Sequence, residues 1–217
     1  IDQGRQDSSR VSGNLSSHRT ADFPYAPGPL PDRLHTGAEG LPPLKENSEV
    51  VMPNNTELHI RQLEPRDRPF IEKMVISSGN FNDIEVATAL ELVDEALNRG
   101  EESGYLFAVL EYGKKDRVVL GYACYGPVPL TQGAFDLYWI VVDPASQGKG
   151  FGRHLLEYVE ADVLRRSGRM ILIETSSQES YGATVRFYER SGYHLAARIR
   201  NFYRVGDDKL IYQKELV

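Results

Sequence analysis

The sequence holds one cysteine in 217 residues, so no intrachain disulfide can form and a reducing compartment is the expected setting. Cys124 lies in an apolar run from Val118 to Tyr125, which marks it as a small core residue rather than a catalytic thiol. No apolar stretch approaches the ~20 residues that span a bilayer, and the N-terminus has no basic-then-apolar signal pattern, so a cytoplasmic protein with no membrane partner is expected. The chain opens on Ile1 rather than Met, which leaves a preceding targeting segment open. Basic excess is missing too: 25 Lys and Arg against 31 Asp and Glu give a net charge of -6. That balance argues against nucleic acid and for a small or cationic partner. His59 and His194 fall in strand-like segments without a second ligand at metal spacing, so no metal site is expected.

Residues 1–56 are rich in Ser, Gly, Pro and Asn, with scattered apolar positions. Such composition buries too little surface to offset the entropy of ordering, and a tail or linker is expected there, with Phe23, Tyr25 and Leu41 to Leu44 as candidate docking points. From residue 57 to 217 the texture is that of one folded domain. Alternation over Leu58 to Leu63 predicts a strand, and a helix follows with Asp67 as a candidate cap and Gly79 as its stop. Asn82-Asp83-Ile84-Glu85 has capping-box spacing, and Val86, Ala89, Leu90, Val93, Ala96 and Leu97 form a helical stripe behind it. Residues 105–112 and 118–125 read as a hairpin, and Phe135 to Val142 as a fourth strand. Met170 to Thr175, a helix near 183–190 stopped by Gly192, and strands near 194–199 and 209–216 complete the order β-α-α-β-β-β-α-β-α-β-β.

The fourth strand runs into Gln147-Gly148-Lys149-Gly150-Phe151-Gly152-Arg153, which opens a helix carrying Leu155, Leu156, Val159 and Val163. Strand, glycine loop and helix N-terminus together offer close backbone approach, free N–H groups and partial positive charge, a cradle for a diphosphate. Lys149 and Arg153 either add charge or are ordinary solvated side chains. A P-loop would need Ser or Thr after Gly-Lys, and Gly150 stands there instead. A dinucleotide fold would suit Glu174 as its ribose acid, but the glycines run G-x-G-x-G rather than G-x-G-x-x-G, and the loop follows two helices and a three-stranded meander.

The segment Gln147 to Gly152 resembles the Q/R-x-x-G-x-G/A signature of the GNAT acetyltransferase superfamily, and Arg186 to Tyr193 is similar to that family's x-F-Y-x-x-x-G-F/Y segment. The similarity reaches the ribosomal-protein N-terminal alanine acetyltransferase branch. The resemblance implies an α/β (α+β) fold: a mixed, mostly antiparallel sheet, splayed between strands 4 and 5 and flanked by about four helices. It implies acetyl-CoA as co-substrate, with its pantetheine arm along Ile140, Val141 and Val142 and its diphosphate on Gln147, Gly148, Lys149, Gly150, Phe151, Gly152 and Arg153. A backbone N–H near Val142 would polarise the thioester carbonyl.

The acceptor implied is a small-molecule or peptide amine, and a homodimer is compatible with the family. An alkylamine has a pKa of about 10.4, so attack needs a base. Glu174 is the first choice and Asp136 the second, either of which is otherwise a solvated strand-end carboxylate. Tyr188 matches the family's general acid, or is simply a packed aromatic. Two departures stand out: the span from Glu174 to Tyr188 is two residues longer than the familiar pattern, and Tyr181 takes the place of an asparagine that contacts coenzyme A in many relatives. Residues 77–85 and 202–209 would shape the acceptor side, with Glu85, Asp207 and Asp208 suiting a cationic amine. Two other readings are a non-catalytic acyl-CoA-binding module and a Rossmann-like NAD-binding domain.

Overall fold

The structure, a computed structural model, describes residues 57–217 apart from 80, 115 and 116. The tail expected over 1–56 lies outside the described residues, as do two residues of the β-hairpin tip. The elements are β1 (Leu58–Arg61), α1 (Arg68–Ser77), α2 (Asp83–Arg99), β2 (Leu106–Tyr112), β3 (Val118–Pro127) and β4 (Ala134–Val142). Then come α3 (Phe151–Arg165), β5 (Met170–Ser176), α4 (Gly182–Arg190), β6 (His194–Arg204) and β7 (Asp207–Glu215). Among the described residues the seven strands form one sheet in the order β1-β2-β3-β4-β5-β7-β6. Neighbours are antiparallel except β4 and β5, which run parallel.

Period-two alternation divides the core between the two faces. Phe107 and Val109 of β2, with Tyr122, Cys124, Trp139 and Val141, pack under Ile71, Val75, Ala89 and Val93 of α1 and α2. Leu106, Ala108 and Leu110 of the same strand join Phe135, Leu137, Ile171 and Ile173 under Leu155, Leu156, Val159 and Tyr188 of α3 and α4. Cys124 is wholly buried, and that burial pushes its thiol pKa up, which keeps it an unreactive core group.

Helix α2 starts where its capping box directs: Asn82 Oδ1 accepts from the Ile84 and Glu85 N–H groups at 2.9 and 3.0 Å, and the Asn82 N–H donates to Glu85 Oε2 at 2.7 Å. Asp67 behaves differently from expectation. Its side chain makes no cap bond to α1 but accepts from Arg61 Nη1 at 2.6 Å and Nη2 at 2.8 Å. Arg61 Nε also donates to Glu111 at 2.9 Å, and Arg117 reaches the other Glu111 oxygen at 2.5 Å. Glu111 is 1% exposed; burial would raise its pKa, but the bonds from Arg117 and Arg61 outweigh it and hold the carboxyl below its ordinary value.

The last hairpin is longer than its sequence suggests. β6 runs to Arg204 rather than 199 and β7 begins at Asp207 rather than 209, so the loop expected over 202–209 shrinks to Val205 and Gly206. The ladder shifts register between Ile199 and Arg204, where Asn201 takes a left-handed φ of 53°. Two bonds hold that irregularity: the Asn201 N–H donates to Asp208 Oδ1, and Asn201 Oδ1 accepts from the Gly206 N–H, each at 2.8 Å.

Arg61 is the shared partner of two buried carboxylates, so Arg61→Ala should destabilise the domain by about 3 kcal/mol in urea unfolding at pH 7, whereas Arg153→Ala, at an exposed pair with Glu157, should cost about 0.5 kcal/mol or less. Because the Glu111 pKa is depressed in the folded state, its stabilisation is present above the unfolded value of about 4.3 and is lost as pH falls through the folded value. The gap between wild type and Arg61→Ala should therefore narrow in acid.

Candidate active site

β4 and β5 pair only over Ala134↔Met170, Phe135↔Ile171 and Asp136↔Leu172. Beyond Asp136 they part, while β4 stays zipped to β3 as far as Val142 and β5 to β7 as far as Ser176. The parting coincides with a bulge. Cys124 faces Trp139 but Tyr125 faces Leu137, which leaves Tyr138 as the extra residue on β4; an extra residue bends a strand and increases its twist. The sheet is thus forked, as the resemblance implied, with main-chain groups of β4 lining one arm.

Those groups can be oriented. In an antiparallel ladder the N–H and C=O of one residue point to the same side, and the side alternates along the strand. The Asp143 N–H reaches Leu120 O on β3 at 2.9 Å, so the Val142 N–H and C=O face the fork. Val142 O accepts there from Gln147 Nε2 at 3.2 Å, a bond that ties the glycine loop to the end of β4. Val141 is buried beneath α1 and α2, and Ile140 and Val142 lean towards the opposite core.

Gly148 and Gly150 have φ of 74° and 85°, and a Cβ on either would meet nothing within 4 Å. Both observations fit a diphosphate cradle: left-handed backbone that glycine adopts without strain, and an outer face open to a ligand. Gly150 is the N-cap of α3, and His154 N–H makes the first bond back to Gly150 O at 3.0 Å. The N–H groups of Phe151, Gly152 and Arg153 precede that bond and have no acceptor within the helix. The side chains divide the work. Phe151 is buried in the core below α3, Arg153 pairs with Glu157 at 2.8 Å, and Lys149 Nζ donates to Ala145 O at 3.2 Å. Main chain, more than side-chain charge, lines this cradle.

Asp136 and Glu174 come together at the fork's inner end. Both lie on the face opposite Phe135, Leu137, Ile171 and Ile173, the face that α1 and α2 cover. Burial and then the Glu174 charge raise the Asp136 pKa to about 6, with Lys209 opposing. Glu174 forms an ion pair with Lys209, whose ammonium also lies 4.6 Å from the Phe202 ring centroid. Tyr188 is on the other face, packed between Phe187 and Tyr193, and burial raises its pKa so that the phenol is neutral at physiological pH.

Sequence reasoning singled out Asp207 and Asp208 together; the fold separates them. Asp208 is spent on Arg198 and the Asn201 N–H, whereas Asp207 accepts from Ser176 Oγ on β5 at 2.5 Å. Tyr181 sits beside Glu85 and Asp207, whose charges, after burial, raise its pKa. The sequence places Lys209 and Tyr203 on the acceptor side only as part of the 202–209 segment and does not point to Ser176; the β5–β7 register, with Ser176 opposite Lys209 and Glu174 opposite Ile211, brings Ser176 and Lys209 to Glu174.

A family model for the acetyltransferase (GNAT) domain matches residues 103–195. A crystal structure of a GNAT-family protein from Desulfovibrio desulfuricans is 43% identical and superposes with a TM-score of 0.70 over 74% of this chain and 99% of that one. The Salmonella typhimurium protein yncA, solved with its cofactor acetyl-CoA, is 22% identical with a TM-score of 0.57 over 74% of this chain and 95% of its own, a likeness of fold. S-(2-succino)cysteine N-acetyltransferase of Bacillus subtilis is 29% identical over 69 residues, 32% of this chain and 42% of that protein, so the match spans less than half of that relative. With the forked sheet, the glycine cradle and near-complete coverage of a relative at 43% identity, this chain belongs to the GNAT acetyltransferase family.

Proposed function

We propose that the protein transfers an acetyl group from acetyl-CoA to a primary amine by direct attack. The observation that carries this reading is the end of β4–β5 pairing at Asp136↔Leu172, beside a helix N-terminus whose glycine loop is open to a ligand. The residues present fit the coenzyme: the cradle over 148–153 would hold its diphosphate, and Ile140 to Val142 would pair with its arm as an added strand does. When bound, acetyl-CoA supplies an activated acyl thioester with a thiolate leaving group.

The Val142 N–H, facing the fork, donates to the thioester carbonyl oxygen as negative charge builds there. The amine must reach that carbon neutral, and a carboxylate on the inner arm takes its proton, directly or through water. Asp136 suits this better than Glu174. Its pKa near 6 leaves it ionised yet basic at neutral pH, while the charge of Glu174 is engaged by Lys209. Glu174 then acts on Asp136, keeping its pKa up. Tyr188, a neutral phenol on the opposite face, is the proton donor to the departing sulfur.

Three measurements test these roles. The kcat/KM for thiol release should rise with pH through an apparent pKa of about 6 that belongs to the Asp136–Glu174 pair, and Asp136→Asn should remove that limb and leave only the rise set by the amine; a wild-type profile flat from pH 5 to 7 would exclude the carboxylate base. Tyr188→Phe should lower kcat about 100-fold with the KM for acetyl-CoA within about twofold. Gly150→Val puts a branched side chain at φ 85° on the open face of the cradle; it should weaken coenzyme A binding about tenfold or more in calorimetry, at roughly 1–2 kcal/mol of backbone strain.

A further inference from the structure

β7 carries two shielded lysines on opposite faces, and they are built differently. Lys214, on the side of α3, donates to the two Glu160 oxygens at 2.8 and 2.7 Å and to Ser191 O at 3.0 Å, so all three ammonium protons have acceptors. Lys209 lies on the fork side. Its side chain is 12% exposed against 27% for Lys214, yet among the described residues its ion-pair partner is Glu174 alone. The Phe202 ring covers it from β6, with the centroid 4.6 Å from the ammonium. Lys214 is saturated as a structural lysine should be, whereas Lys209 has fewer acceptors at greater burial. A charge so placed acts strongly on its neighbours, because little water screens it.

The strand registers identify those neighbours. Ser176 faces Lys209 across β5 and β7, which makes Lys209 and Glu174 a diagonal pair on one face, within reach of a long side chain. Asp136 faces Leu172 across β4 and β5, so Asp136 and Glu174 are diagonal neighbours on that same face. The three side chains run in a row over three adjacent strands where the fork opens. The charges that act on Asp136 are those of Glu174, which raises its pKa, and Lys209, which lowers it. Tyr138 on β4 and Tyr203, which faces Glu174 from β6, are kept neutral at physiological pH, first by burial. Tyr181, Glu85 and Asp207 act on Tyr203 from its other side.

We infer that Lys209 is a positioning residue for the transfer: its ammonium, fixed between the Glu174 carboxylate and the Phe202 ring, holds Glu174 at the fork and keeps Asp136 ionised beside it, ready for the amine's proton. This rests on the acetyl-transfer reading. Two neighbouring carboxylates without a cation share one proton, because like charges oppose full ionisation. That proton would occupy the oxygen that has to accept from the amine. With Lys209 in place the base starts each turnover empty, and the proton it takes passes afterwards to water. The sign follows from charge: loss of the ammonium raises the Asp136 pKa, and loss of the Glu174 charge lowers it.

The test follows the Asp136 carboxyl itself, by carbon NMR of the full chain labelled at aspartate, with Asp136→Asn assigning the signal. It should titrate near 6 in the wild type and about one pH unit or more higher in Lys209→Met, with Lys209→Arg restoring the wild-type midpoint. Lys209→Gln removes the charge but keeps a donor, and serves if Lys209→Met fails to fold. Glu174→Gln should move the midpoint down, a reversal that general loosening of the fold would not produce. Thiol release from acetyl-CoA with a panel of primary amines should follow the titration: kcat/KM of Lys209→Met about tenfold lower at pH 5, with the deficit shrinking by pH 8. A midpoint unmoved or lowered in Lys209→Met overturns the role of Lys209 whether or not transfer occurs. A raised midpoint with no matching change in thiol release keeps the hold of Lys209 on Asp136 and instead refutes Asp136 as the base.

Discussion

The parting of β4 from β5 is the constraint from which the rest of the candidate site follows. Parallel strands held by three residue pairs and then released leave main-chain groups that a closed sheet would satisfy internally. Leaving them open is tolerable only where water or a ligand can take their place. The bulge at Tyr138 bends β4 at this place, and Gln147 secures the far end of the arm by donating to Val142 O. One residue inserted into a strand and one side-chain bond at its end therefore fix where the glycine loop sits relative to the fork. The loop's own geometry is local, set by left-handed Gly148 and Gly150 ahead of α3; its distance from the reacting centre is a property of the sheet.

Two kinds of buried charge occur in this domain and they obey different rules. Around Arg61 each carboxylate has a guanidinium, so the group locks β1 and the turn before α1 onto β2 and holds the Glu111 pKa down. At the fork, Asp136 lies with Glu174 and Lys209, and burial and then the Glu174 charge drive the Asp136 pKa up. A depressed pKa signals a charge whose partner came with the fold. A raised one signals ionisation the fold opposes, which suits a group that handles a proton. Direction separates Glu111 from Asp136, although both are acidic side chains at strand positions.

Much of this was legible in the sequence, and the division is physical. The box at Asn82 to Glu85 and the glycine loop are local instructions, written within four to seven consecutive residues, and α2 and α3 begin where they say. Pairing between distant strands is not local. The reach of β6 to Arg204 depends on an irregularity pinned by Asp208 across the ladder, and a sequence reader sees only turn-forming residues there. Asp67 looked like a cap because it precedes a helix, but Arg61 claims it. Asp207 and Asp208 looked alike until the strand's alternation turned them to opposite faces, one towards Arg198 and the other towards Ser176.

That alternation also gives the proposed chemistry its layout. The candidate bases, Asp136 and Glu174, project to the face beneath α1 and α2, whereas Tyr188 belongs to the core beneath α3 and α4. In a closed sheet the two faces are separated by a continuous layer of backbone, and no single substrate atom could exchange protons with both. A fork removes that layer locally. An acyl carbon placed in the gap can receive an amine from the carboxylate side while its sulfur departs towards the phenol, so proton removal and proton return never compete for the same space. Direct attack needs no protein nucleophile under this arrangement, which agrees with a wholly buried Cys124 whose thiol burial keeps protonated.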